Sequence, residues 1–287
     1  MRLKHTLPLL ATLAALATLP AQAQDAASAL AVQALRYGAD DLRAGELRLP
    51  AGPGPFPVAV VIHGGCWLAK VDTLKGTAPL SEALTRRGIA TWNIEYRRLD
   101  DAGGGWPGTF EDVAAGVQHL RVLARTQPLD LGRVVLVGHS AGAHLALWAA
   151  SRPKLAGPLG GDDALRPAAV VAIDGPGELT PFIGVDRQVC GQPVIVPLMG
   201  GTPAERPEAY RVATPRERLP LGMPQLFVMA ELGAFMKDYI AASKEAGDPV
   251  EVLVPAGADH FDIITPAKPN GVKVLDFITE KAFAAKR

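Results

Sequence analysis

The chain has 287 residues with 29 basic and 29 acidic side chains, so its formal net charge is zero. That balance argues against nucleic acid as a partner, which needs a basic face, and the length suits one large α/β domain or two small ones. The two cysteines are too few for a structural zinc site.

Residues 1–23 read as a secretory signal peptide. Arg2, Lys4 and His5 make a basic start, Leu7 to Leu19 an apolar core, and Ala21-Gln22-Ala23 an A-x-A cleavage site. The apolar run is too short to span a membrane, and no later stretch is long and apolar enough to do so. The expected mature protein starts near Gln24, forms one domain over 24–287, and is periplasmic or secreted. Cys66 and Cys190 then sit in an oxidising compartment, either as one disulfide or as two buried thiols.

Residues 24 to about 44 read as a weakly structured leader, and 45–49 as a strand before the turn Ala51-Gly52-Pro53-Gly54-Pro55. Pro57 to Ile62 is an apolar run of the kind buried on both faces of a parallel sheet. A helix over 80–87, closed by Gly88, leads to a strand over 89–94. Thr109 and Asp112 predict a capping box opening the next helix, with Phe110, Val113, Val117, Leu120 and Leu123 at helical spacing. A strand over 134–137 and a helix after Ser140 follow. Further strands are expected over 168–173, 224–230 and 249–254, with helices over 237–246 and 272–285. This alternation predicts a doubly wound, mostly parallel sheet with helices on both faces. The proline- and glycine-rich segment 175–220 breaks the pattern and reads as a small insertion over the sheet's C-terminal edge, where such folds bind ligands.

Gly138-His139-Ser140-Ala141-Gly142, between a strand and a helix, is a Gly-x-Ser-x-Gly nucleophile elbow. A tight turn lifts the serine Oγ clear of the sheet, and the helix N-terminus faces the reacting centre. Such a serine needs a base. His5 leaves with the signal peptide, His119 lies mid-helix, and His139 and His144 flank the elbow too closely to swing over Ser140. His260, in the loop Gly257-Ala258-Asp259-His260-Phe261 after the last strand, is the candidate base. His63-Gly64-Gly65-Cys66-Trp67 ends the strand over 57–62, and its glycines let backbone N–H groups approach a developing oxyanion. Gly65, Cys66 and Ala141 are the candidate donors, with His63 holding the loop and Trp67 lining the pocket. The histidine spacings match no metal motif, and neither a dinucleotide turn nor a phosphate loop is present, so no cofactor or metal is implied.

These motifs resemble those of the α/β-hydrolase superfamily in its esterase and lipase group, nearest the feruloyl-esterase-like (BD-FAE) and kynurenine-formamidase-like branch, over nearly all of the mature chain. His63 to Trp67 matches that branch's HGGxW loop, and Asn93-Ile94-Glu95-Tyr96-Arg97 resembles its N-x-x-Y-R strand end. Trp106 to Asp112 resembles its proline-to-aspartate helix start, Ser140 to Ala146 its S-A-G-G-H-L-A, and Asp259-His260-Phe261 its D-H-F. The resemblance implies the α/β-hydrolase fold, with Ser140 as nucleophile and His260 as base.

The third triad member departs from that pattern. The family places an aspartate after the strand equivalent to 224–230, but here the run Ala230-Glu231-Leu232-Gly233 carries glycine at that place. Three readings stay open: Glu231 substitutes for it, Asp174 at the end of the preceding strand serves instead, or no acid is positioned. The expected function is serine hydrolysis of a small carboxylic ester through an acyl-enzyme. An N-formyl amide hydrolase is an alternative, ranked lower because export does not suit an intracellular pathway step. A binding protein on a weakened hydrolase scaffold is the other. The expected partner is a small-molecule ester or amide; oligomeric state is not legible.

Overall fold

The computed structural model describes residues 31–283, and the expected signal peptide lies outside the described residues. An eight-stranded sheet runs through the molecule in the order β1-β2-β4-β3-β5-β6-β7-β8. Strands β1 (Val32–Arg36) and β2 (Ala44–Arg48) pair antiparallel at one edge. The rest are parallel to one another: β3 (Phe56–Ile62), β4 (Ala90–Ile94), β5 (Leu129–His139), β6 (Ala169–Ile173), β7 (Gln225–Val228) and β8 (Val250–Leu253). This is the α/β-hydrolase fold. All parallel strand ends that matter for chemistry therefore open on one edge.

Side chains alternate between two cores because successive strand residues face opposite ways. Val58, Val60, Ile62, Leu136, Val170 and Phe227 face one layer of helices. That layer includes α2 (Gly108–Gln118), the short α3 (Leu120–Leu123), α4 (Ala141–Ser151) and α8 (Lys237–Glu245). Ala59, Val61, Val135, Val137, Val171 and Ile173 face α1 (Leu74–Arg86) and α9 (Pro269–Phe277) on the other side. Burial on both faces explains why β3, β6 and the 134–137 stretch of β5 are continuous apolar runs rather than alternating ones. Helix α4, behind the elbow, is buried along its whole length.

Several expectations are corrected. The leader contributes a true strand: β1 alternates exposed and half-buried residues and extends the sheet by pairing with β2. Helix α1 starts six residues before the expected Leu80, capped by Thr73, whose side chain accepts from the Lys75 N–H at 3.3 Å. Pro79 lies inside this helix on its exposed face, and it lacks the N–H that would bond the Lys75 carbonyl. The expected capping box does not form. Thr109 Oγ1 donates to the Arg97 carbonyl at 2.6 Å, and Asp112 takes both Arg97 Nε and Nη2 at 2.7 Å. Both residues thus tie α2 to the end of β4. The 175–220 segment is compact rather than irregular, holding α5 (Asp186–Cys190), α6 (Ile195–Met199) and α7 (Pro207–Ala213). Helix α9 gives way after Phe277 to a wider π turn over Ile278–Ala282.

Candidate active site

Four non-glycine residues among those described have positive φ: Cys66, Trp67, Ser140 and Asp174. They follow β3, β5 and β6, the three adjacent strands at the middle of the sheet. Backbone held in this region costs of order 1–3 kcal/mol per residue. Its concentration at one edge marks where the fold is over-determined.

Ser140 stands between β5 and α4 with φ 55° and ψ −121°. Its N–H donates to the Ile173 carbonyl at 2.9 Å, which fixes the turn against β6. The bracketing glycines are required sterically. A Cβ on Gly138 would run into the Gly142 carbonyl, and one on Gly142 would meet the carbonyls of Ile62 and His63. The elbow can therefore close only if both positions lack a side chain.

The candidate base and a carboxylate come from two other loops. His260 Nδ1 lies 2.7 Å from Asp174 Oδ2. Asp174 is fully buried, and its Oδ1 accepts the N–H groups of Ala230 at 2.7 Å and Leu232 at 3.0 Å. Burial alone would push this carboxyl up, but the bonds from His260 and the two amides more than offset that, and its pKa lies below the ordinary aspartate range. A carboxylate at Nδ1 selects the tautomer with its proton there, leaving Nε2 as an acceptor. Glu231 does not take this place. It is exposed, and its Oε2 accepts the backbone N–H of His260 at 3.2 Å. The glutamate braces the loop while the ring meets Asp174, the buried residue that directly follows β6. Of the two carboxylates considered, Asp174 is the one that the structure brings to the His260 ring.

His139 lies beside this pair. Its ring centroid is 4.5 Å from that of His260, and its Nε2 donates to the His260 carbonyl at 2.9 Å. Burial and the neighbouring His260 lower its pKa to about 3, so it is neutral near pH 7. It positions the base loop and is no candidate for proton transfer. His144 is likewise buried and lowered to about 4, with its Nε2 on the Ala213 carbonyl at 3.0 Å. His119 lies at the α2–α3 junction, tilted against Trp92 and Tyr37.

The loop after β3 presents Gly65 and Cys66 to the same cavity as Ser140 and His260. Among the described residues, no backbone acceptor takes the N–H of Gly65, Cys66 or Ala141. His63 sits beneath, its Nε2 2.7 Å from Glu95 Oε1 and its ring stacked on Tyr96 at 4.3 Å. Tyr96 donates its O–H to the His63 carbonyl at 2.9 Å. Glu95 and Tyr96 were legible only as part of the N-x-x-Y-R strand end; their role in supporting this loop emerges from contacts across the sheet. Trp67 is corrected: it is 1 % exposed, packs edge-on to His144 at 6.0 Å, and belongs to the core rather than the cavity wall. The backbone turn at Cys66 and Trp67 carries the indole inward.

The cavity has a volume of about 600 Å³, within the usual range for small-molecule sites. Val71, Val189, Leu232, Phe261 and Ile264 form apolar walls. Asp72 and Glu231 supply two carboxylates, and among the described residues no lysine or arginine lines it. A disulfide joins Cys66 to Cys190, so α5 of the 175–220 segment is bonded to the loop after β3. Among the described residues, no helix is long and apolar enough to cross a membrane.

A family model described as BD-FAE matches residues 46–230, spanning from β2 to just past β7. No curated protein matches the chain in sequence. Among solved structures, esterase B from Lactobacillus rhamnosis is similar at 17% identity and TM-score 0.73, over 89% of this chain and 85% of that one. A thermophilic esterase from Thermogutta terrifontis is similar at 18% identity and TM-score 0.70, over 89% and 94%. A bifunctional GH43-CE protein of Bacteroides eggerthii is similar at 22% identity and TM-score 0.69, over 85% of this chain; the chain spans 37% of that protein's length.

Proposed function

The chain belongs to the BD-FAE family of esterase-type α/β-hydrolases, and on that footing we propose that it is an exported serine hydrolase cleaving small carboxylic esters. Ser140 Oγ attacks the ester carbonyl while its proton passes to His260 Nε2. The carbonyl oxygen becomes an oxyanion held by the N–H groups of Gly65, Cys66 and Ala141. Asp174 keeps the imidazole oriented and stabilises its positive charge. The tetrahedral intermediate collapses, the alcohol leaves with the proton from His260, and the acyl group stays on Ser140. Water then attacks that ester, giving a proton to His260, and the carboxylic acid departs as Ser140 regains its hydrogen.

The observation that carries this reading is the 2.7 Å contact between His260 and buried Asp174, in a cavity that also holds the strained Ser140. A carboxylate within reach of the imidazole removes the motive for a binding-only scaffold. The apolar walls suit an uncharged acyl or alcohol group. Export is supported by the N-terminal pattern and by a disulfide that an oxidising compartment would preserve. The test is hydrolysis of p-nitrophenyl butyrate by the wild type and Ser140→Ala. Turnover that the substitution removes supports the reading; turnover that survives it sinks the nucleophile assignment. Export is checked separately by sequencing the N-terminus of the mature chain, expected at Gln24.

A further inference from the structure

We propose that Cys190 is a positioning residue for the oxyanion hole: its disulfide to Cys66 holds the Cys66 N–H where negative charge develops on the substrate. The inference rests on the serine-hydrolase reading above and adds a residue to it from 124 positions further along the chain.

The need for such a tether follows from the backbone. Gly65 has φ 94° and Cys66 φ 55°, so the direction of the Cys66 N–H depends on two consecutive left-handed residues. Glycine adopts this freely, but a cysteine does not and must be held by its surroundings. On either side the loop is fastened by hydrogen bonds. The Tyr96 O–H, donated to the His63 carbonyl at 2.9 Å, also lies 3.3 Å from the Gly64 carbonyl, and the Leu99 N–H donates to the Trp67 carbonyl at 2.8 Å. Between these two points the Cys66 side chain is fixed through its sulfur to Cys190, with the two Cα atoms 5.9 Å apart. Cys66 occupies the variable position of the HGGxW pattern, so this tie is a property of the chain rather than of the motif.

The other end of the tether is rigid. Cys190 closes α5, and Asp186 opens it. The Asp186 carboxylate is buried and accepts four backbone N–H groups: Gly184 at 3.0 Å, Arg187 at 2.9 Å, Val194 at 2.8 Å and Ile195 at 3.0 Å. One side chain thereby closes the turns before and after the helix into a unit. Val189, next to Cys190, forms part of the cavity wall. A second polar link between the segments, Lys70 Nζ to Gln192 Oε1 at 3.4 Å, lies exposed to water and contributes little. The disulfide therefore connects a wall of the cavity to the residue that carries one of the three candidate donors, inside a turn that the Leu68 N–H closes onto the Gly65 carbonyl at 2.9 Å.

The oxyanion forms only along the reaction coordinate, so a loosened donor lowers kcat and leaves KM nearly unchanged. Removing a donor outright costs about 10²–10³ in kcat; a donor that remains but wanders should cost about tenfold. The experiment measures kcat and KM for p-nitrophenyl acetate with Cys190→Ser and with the double variant Cys66→Ala/Cys190→Ala, which retains the position-66 N–H. Rates are normalised to sites titrated by a fluorophosphonate. In parallel, folded wild-type protein is treated with dithiothreitol. The reagent gives up two electrons and two protons and closes to its own ring disulfide, leaving Cys66 and Cys190 as thiols; circular dichroism checks that the fold persists. The expected result is a kcat about tenfold lower in all three, KM within about twofold, and recovery of the reduced sample on reoxidation. An unchanged kcat per titrated site, whatever happens to the melting temperature, overturns the positioning role, as does a change confined to KM. Absence of turnover in untreated wild type refutes the hydrolase reading instead, and the two failures are thus distinct.

Discussion

Replacing Asp174 with asparagine tests the assignment of the acid with almost no change in shape. In the folded protein one carboxylate oxygen accepts the Ala230 and Leu232 amides, and the other meets His260 Nδ1. The asparagine carbonyl oxygen must stay with the two amide donors, because its NH₂ group would confront them proton to proton. That orientation points the NH₂ at His260 Nδ1, which must then accept. The imidazole proton moves to Nε2, the nitrogen that has to receive the Ser140 proton, and the charge that steadied the imidazolium is gone. Holding the wrong tautomer costs up to about 10⁴ in kcat, or about 5 kcal/mol in the barrier. Glu231→Gln is the matched control. The Glu231 Oε2 accepts the His260 backbone N–H and makes no bond to the ring, and the amide oxygen of glutamine accepts that bond equally well, so kcat on a neutral ester should stay within about threefold. The assay is initial-rate hydrolysis of p-nitrophenyl butyrate at pH 8 with each variant's fold checked by circular dichroism. Near-normal kcat in Asp174→Asn together with a collapse in Glu231→Gln would refute the reasoning.

Acid should unfold the protein early. His139 and His144 are buried with folded pKa values of about 3 and about 4, whereas each titrates near 6.5 when unfolded. The unfolded chain binds more protons between those values, so their contribution is complete above about pH 6.5 and drains away below it, by up to ~1.4 kcal/mol per pH unit for each ring. Urea denaturation at pH 7.5 and pH 5 should therefore differ by roughly 3–4 kcal/mol, and equal midpoints would contradict it. Gly142→Ala should abolish soluble enzyme or cost several kcal/mol, since its Cβ meets the carbonyls of Ile62 and His63; a variant with normal stability and kcat would show that the elbow relaxes. Asp72 and Glu231 are the charged groups lining the cavity. Esters of a hemisuccinate should thus show kcat/KM about tenfold below matched neutral esters at low salt, with the gap narrowing as ionic strength rises. Equal turnover at low salt would remove the charge argument.

What the sequence disclosed about the site tracks how local the physics is. The elbow and the HGG loop are legible because each constraint leaves a glycine in a short motif: a Cβ at Gly138 collides with the Gly142 carbonyl four positions on, and Cβ atoms at Gly142 and Gly64 would collide with backbone or side-chain atoms at the ends of the adjacent strands. The sheet is legible because β3, β6 and residues 134–137 of β5 are buried and apolar without a break. The acid is not, since Asp174 and Glu231 both lie just past strands and neither betrays which will lie under His260. That choice depends on how β6, β7 and the loop after β8 sit side by side. The same holds for Trp67, whose direction is set by a positive-φ turn that no residue pattern announces. The capping-box pattern at Thr109 and Asp112 misleads because Arg97, distant in the helix's own terms, outcompetes the helix N-terminus for both side chains. Residues 175–220 hide their structure in helices of five to seven residues, too short for apolar periodicity to register.

The account turns on a covalent bond to one oxygen. Mass spectrometry of the intact, disulfide-bonded protein after exposure to an organophosphonate should show a single adduct per chain, mapped by proteolysis to the peptide containing Ser140, with ester hydrolysis lost in proportion to labelling. An adduct on another residue, or full loss of activity without modification of Ser140, would contradict it.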